Sequence, residues 1–155
     1  ILLKGGNPKD AAVGAMFNPA TSDNGWFSCP DNCAVDNQGR LWITTDQGEG
    51  WAKASGKADG VYAVETEGAL RGASMMFFRV PVGAEMCGPW FTGDDKTLFV
   101  AVQHPATDGV ELYKPFGKKS TFEEPATRWP DFKPDMPPRP SVVAITKKDG
   151  GVIGS

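Results

Sequence analysis

The chain has 155 residues, 40% of them hydrophobic and 23% charged. These values are near globular averages and exclude a wholly disordered polypeptide. A formal net charge of −3 and a pI near 5.1 lack the basic footprint of phosphate-backbone binding, so no nucleic-acid partner is expected. No apolar run approaches the ~18 residues of a membrane span.

No signal peptide is recognisable at the start. The chain begins at Ile1 rather than Met, so a processed product, an engineered chain or a fragment is expected. The 19 glycines and 13 prolines exceed average usage without a collagen period, which predicts many turns and disfavours a helical bundle.

Ile1 to Leu3 reads as the end of a strand, and Lys4 to Asn24 as loop. Cys33 to Val35 is a short strand. Asp36-Asn37-Gln38-Gly39 is a turn, because Asp and Asn initiate it and Gly accepts positive φ. Leu41 to Thr45 is a strand by its β-branched and aromatic content. Gln47 to Gly60 reads as polar loop. Val61 to Thr66 and Met75 to Val80 complete a set of four strands.

The pattern then restarts. Pro89 to Thr92 is short and apolar, Gly93-Asp94-Asp95-Lys96 is a turn, and Leu98 to Val102 is a strand. Leu98-Phe99-Val100 repeats Leu41-Trp42-Ile43 at an offset of 57 residues. A Pro-rich excursion from His104 to Pro140 precedes Val142 to Thr146, and Asp149-Gly150-Gly151 is a final turn. A repeated unit of short antiparallel strands suggests propeller blades. The predicted fold is therefore all-β, with about two four-stranded antiparallel blades. Residues 25–85 form the first and 86–155 the second, with a long loop at 104–140. Two blades cannot close a ring. Further chain must supply the rest, or copies must associate, three copies giving six blades. An ordinary β-sandwich is the competing architecture.

Three cysteines, Cys29, Cys33 and Cys87, are an odd count that excludes a full disulfide framework. In an extended segment Cys29 and Cys33 lie too far apart to bond. All three read first as structural thiols, and a disulfide or ligand role is the lesser reading. The single histidine, His104, excludes a multi-histidine metal site within one chain.

Carboxylates and amides gather in loops beside strand ends: Asp31 and Asn32 before one strand, Asp46 after another, Glu85 before the restart, with His104 at the end of the matching strand. Propeller loops of this kind suit a hard cation such as Ca²⁺, although Asp and Asn before strands are ordinarily turn formers. Asp36, Asp94, Asp95 and Asp149 are assigned to turns. Arg71, Arg79, Arg128 and Arg139 could clamp a phosphate bidentately, although each also reads as a solvated or ion-paired surface group. The five tryptophans read as core and loop packing.

Three ordered segments are familiar. Gly25-Trp26-Phe27-Ser28-Cys29-Pro30-Asp31-Asn32-Cys33-Ala34-Val35-Asp36 continues through Gly39-Arg40-Leu41-Trp42-Ile43-Thr44-Thr45-Asp46. Gly83-Ala84-Glu85-Met86-Cys87-Gly88-Pro89-Trp90-Phe91-Thr92 continues into Leu98 to Pro105. Pro138-Arg139-Pro140-Ser141-Val142-Val143-Ala144-Ile145 follows. Together they closely resemble the C-terminal portion of the PhoX family of alkaline phosphatases.

That resemblance implies a six-bladed β-propeller and hydrolysis of phosphate monoesters, in the periplasm or as a secreted enzyme. It also implies a cluster of calcium and iron (Ca²⁺, Fe³⁺) at one end of the channel. It marks Asp31 and Glu85 as metal ligands. Asn32, Asp46 and His104 are possible further ligands or supports, and Arg139 is a weak phosphate-binding candidate. The family's cysteine ligand to iron falls in the N-terminal part, so Cys29, Cys33 and Cys87 are not assigned to it. Met86-Cys87 and Gly93-Asp94-Asp95 depart from common family sequence only at packing or turn positions. The implied partners are a phosphate monoester and the remaining blades. The alternative is a non-catalytic propeller segment acting as scaffold or binding module.

Overall fold

The computed structural model describes residues 1–155. Seven strands run β1 Pro30–Val35, β2 Leu41–Thr45, β3 Gly60–Val64, β4 Ser74–Arg79, β5 Glu85–Phe91, β6 Thr97–Gln103 and β7 Ser141–Thr146. They form two antiparallel sheets, ordered β1-β2-β3-β4 and β5-β6-β7. The second sheet has three strands where four are expected from the sequence: β7 matches β3 in the repeat, and residues 147–155 after it fold as turns rather than as a counterpart of β4.

Several boundaries differ from the sequence reading. Ile1 to Leu3 is no strand; a lone bridge joins Lys4 to Met16. Asp31 and Asn32 lie inside β1, and Glu85 is the first residue of β5. The predicted loop 47–60 contains a 3-10 turn, Gly48–Gly50, running into a one-turn helix α1, Trp51–Ala54. Trp51 anchors it: the ring is buried and its Nε1–H donates to the Asp108 carbonyl at 3.0 Å.

The internal repeat has a structural counterpart. The β1–β2 register shifts between Pro30 and Cys33, and the β5–β6 register shifts between Cys87 and Trp90, again 57 residues on. Each shift places one extra residue on the first strand of its sheet, which is a β-bulge. Prolines fall at the start of one bulged segment (Pro30) and inside the other (Pro89), positions where a missing ladder N–H costs little. The repeat is not a strict copy. Cys33 pairs with Ile43, whereas Trp90 pairs with Phe99 rather than Val100. Counted between these equivalent pairs, the second hairpin is one residue shorter.

The sheets pack face to face. Trp42, Val61 and Ala63 from the first meet Met86, Leu98, Val100 and Val102 from the second, with Val80, Ala84 and Ile153 closing the edges. Trp42 is fully buried and stacks edge-on against Phe77 and Phe91, with ring centroids 5.0 and 5.1 Å away. Its indole N–H is satisfied by Asp36 Oδ2 at 2.8 Å, as a buried Trp requires. Asp36 also accepts from Arg40 Nε and from the backbone N–H groups of Gln38 and Arg40. Arg40 in turn donates to the carbonyls of Ile153 and Gly154.

The far face of the first sheet carries Ile43, Tyr62 and Val64. Phe27 is buried there, and Leu2, Leu3 and Phe17 pack over the cluster. The far face of the second sheet has no such cover, and Trp90 and Val142 are each 71% exposed there.

Candidate functional site

The N-terminal ends of β1 and β5 and the C-terminal ends of β2 and β6 share one end of the molecule. The edge strands β1 and β5 meet there. Asn32 Oδ1 accepts the N–H of Gly88 at 3.0 Å, so the two bulges are joined across the sheets. Gly88 has φ +57, a left-handed conformation that glycine adopts without strain. Bulges redirect side chains out of the regular alternation. Here the bulge carries Asp31, which is exposed, and Asn32, whose side chain is spent on the joint.

Glu85 is built differently. It pairs directly with Gln103, and Cys87 follows two residues on, so all three side chains share one face of the sheet. Glu85 Oε1 accepts from Cys87 Sγ at 3.0 Å and from Gln103 Nε2 at 3.3 Å, and Oε2 lies 3.3 Å from His104 Nε2. Burial pushes the Cys87 thiol up to about 12; the adjoining Glu85 carboxylate adds to the shift, against an opposing bond from Gln103. In this state the thiol donates its proton to Glu85.

Around this group lies further negative charge. Asp108 Oδ2 is 3.9 Å from His104 Nδ1. Burial raises the Asp108 pKa, His104 opposes the shift, and the nearby carboxylates of Asp46, Glu49 and Glu85 add to it. Asp46 is exposed, accepts the Gly48 N–H at 3.0 Å and turns the chain into the helical segment. Its neighbour Asp59 is buried and raised by that burial, although Thr45 and Gln47 hydrogen-bond to it. Neither Asp59 nor Asp108 stands out in the sequence, because each looks like an ordinary loop aspartate. The register bringing Gln103 beside Glu85 is the signal that could have drawn attention to the His104 loop.

The arginines fare unequally. Arg139 is held bidentately by Asp131, at 2.7 and 2.9 Å, so its guanidinium is already engaged. Arg128 donates to the carbonyls of Phe122, Glu123 and Met136 and ties the Pro-rich loop together. Arg71 reaches the Ile1 carbonyl at 3.5 Å. Arg79 ends β4 and is exposed, at the end of its sheet that also carries Asp31 and Asp46.

All three cysteines are free thiols; Cys29 and Cys33 are exposed and Cys87 is buried. No group of three or more His, Cys, Asp or Glu side chains within the chain is arranged to hold a metal ion. No helix is long and apolar enough to cross a membrane.

Comparison with known proteins gives a consistent result. The family model described as alkaline phosphatase PhoX matches residues 1–106, a span that includes Asp31, Asp46, Glu85 and His104. A solved structure of Pseudomonas fluorescens PhoX in complex with vanadate, a transition state analogue, is similar at 30% identity with a TM-score of 0.73. The match covers 99% of this chain and 24% of that one, so the chain spans about a quarter of that relative's length. No curated protein matches.

Proposed function

The chain belongs to the PhoX family of alkaline phosphatases, and from that premise we propose that it forms part of the catalytic end of a metal-dependent phosphomonoesterase. The observation that carries the reading is the family match across residues 1–106, which contains both Asp31 and Glu85. On this reading the two sheets are adjacent blades of a six-bladed propeller, divided near residue 85. β1 and β5 are their inner strands, and the remaining blades come from further polypeptide. The setting is the periplasm or the cell exterior.

Asp31 and Glu85 are proposed as ligands to the calcium and iron of such a site. The fit is partial. Calcium takes about 6–8 oxygen ligands, and this chain offers two carboxylates, with the Asn32 amide already bonded to Gly88. The donors are hard oxygens, as calcium and ferric iron prefer, and they fill a share of a shell. When bound, such cations neutralise phosphate oxygens and stabilise charge in an in-line displacement. The chain's own part is to hold oxygens at fixed positions. The bulge presents Asp31 to solvent, and the Gln103–His104 pair orients Glu85. Asn32 and Asp46 are proposed as structural supports. Arg139, engaged by Asp131, would reach a phosphate only by leaving that partner.

Elemental analysis of the chain purified without chelator, normalised to protein, tests the assignment. The expected result is bound calcium that falls in Asp31→Asn and Glu85→Gln. Calcium content unchanged in both variants overturns it. For the chain taken by itself, spanning 24% of its relative, a second reading is a non-catalytic propeller segment acting as scaffold.

A further inference from the structure

We infer that His104 is a positioning residue whose Nε2–H, together with the Gln103 amide, fixes which way the Glu85 carboxylate faces. The inference rests on the reading of Glu85 as a metal ligand.

Four observations carry it. An ionised carboxylate can only accept, so at the 3.3 Å contact His104 Nε2 must hold the proton and donate it to Glu85 Oε2. Gln103 Nε2 approaches the other oxygen, Oε1, at 3.3 Å. Both oxygens are therefore held from the protein side; Oε1, which also accepts from Cys87 Sγ, is fully engaged, and Oε2 keeps a lone pair for a cation.

The second observation is the far side of the ring. Nδ1 is buried and has no hydrogen-bond partner, and the carboxylate of Asp108 faces it at 3.9 Å. With the proton on Nε2, Nδ1 is an acceptor and makes no hydrogen bond to that carboxylate, so the ring's one bond is the one to Glu85.

The third is backbone strain. His104 sits at φ +30, directly before Pro105, and Ala106 at φ +68. Such conformations cost about 1–3 kcal/mol each and persist where the surroundings impose them.

The fourth is what imposes them. The N–H groups of Ala106, Thr107 and Asp108 donate to the carbonyls of Val82 and Gly83 at 2.9 to 3.1 Å. The Trp51 indole holds the Asp108 carbonyl from the other side. Gly109 admits no side chain, since a Cβ there would meet the Glu49 carbonyl oxygen. The loop is clamped between the Gly83 turn and the helical insertion. Partners of this kind behind a metal ligand change affinity by about 10- to 100-fold.

The test uses calcium chloride alone, titrated into the purified chain by calorimetry. The ring signals of His104, the only histidine, are followed by NMR. The expected result is calcium binding by the unmodified chain with a matching shift of the His104 signals. Affinity should fall at least about tenfold in His104→Ala and largely recover in His104→Gln, whose amide restores a donor near the Nε2 position. Urea midpoints should stay together across the set. Two outcomes overturn the proposal alone: Glu85→Gln defective while His104→Ala binds within about twofold of the unmodified chain, or ring signals that ignore calcium. Calcium binding absent from the unmodified chain, or unchanged in Glu85→Gln, overturns the reading of Glu85 and the proposal with it.

Discussion

The first sheet is buried on both sides, whereas the second is buried on one. The first packs Trp42, Val61 and Ala63 against its neighbour and covers Ile43, Tyr62 and Val64 with Leu2, Leu3, Phe17 and Phe27. The second presents Met86, Leu98, Val100 and Val102 inward and leaves Trp90 and Val142 in water on its other face. Glu85, Cys87 and Gln103 share that uncovered side through the alternation of β5 and its pairing with β6. A sheet that is half of a repeat is complete only when something packs on each face. The polar end of the uncovered face is the place where this chain has donors to share.

Truncating the covered side should have the largest effect. Phe27 is 1% exposed and packs against Phe17 and Tyr62, with ring centroids 5.4 and 4.9 Å away. Phe27→Ala should cost about 3–5 kcal/mol, read as a lower urea midpoint. A loss below about 1 kcal/mol would mean that the N-terminal segment is not an integral cover.

The joint that both sheets share comes next. Asp36 is buried and bonded by Trp42 and Arg40. Burial alone would raise its pKa, but these bonds outweigh it and hold the carboxyl below its usual 3.8. The folded chain then binds this proton less readily than the unfolded one. The stabilisation is present above pH 3.8 and is lost as pH falls through the lowered folded value. Asp36→Asn sets an amide against donors and should cost about 3 kcal/mol at neutral pH. Stability measured between pH 6 and pH 3 should then vary less in the variant than in the unmodified chain. An equal variation in both would locate the acid sensitivity elsewhere.

The smallest effect belongs to the open face. Trp90→Lys should leave the urea midpoint within about 0.5 kcal/mol and reduce self-association in light scattering, since exposed apolar sheet faces invite contact. A marked destabilisation would mean that this face is buried in solution, by a second copy.

Much of this architecture was legible in the residues. Turn chemistry at Asp36 to Gly39 and at Gly93 to Lys96, with β-branched and aromatic runs beside them, marks both hairpins. The 57-residue repeat is visible for the same reason. Asp31, Glu85 and His104 could be singled out because they sit beside strand ends. The bond between Asn32 and Gly88 was not legible, since it depends on how two sheets meet. The cover made by Leu2, Leu3 and Phe17 was hidden because it has no period. The one-turn helix at Trp51 is shorter than any pattern can mark, and the grip on His104 depends on a bulge register that alternation does not reveal. Arg139 illustrates the converse: its suitability for phosphate was plain, and its engagement by Asp131 eight residues away was not.

Arg40 has a consequence for synthesis on the ribosome. Its guanidinium donates to the Ile153 carbonyl, 113 residues further along the chain. At about 5–20 residues per second, translation takes on the order of 6 to 23 s to deliver that acceptor after Arg40 is made. For that interval Arg40 has Asp36 but lacks its two carbonyl partners, and the Trp42 face is bare. Its β1–β4 pairing can form early, but its closure waits on the turn that carries Ile153 and Gly154.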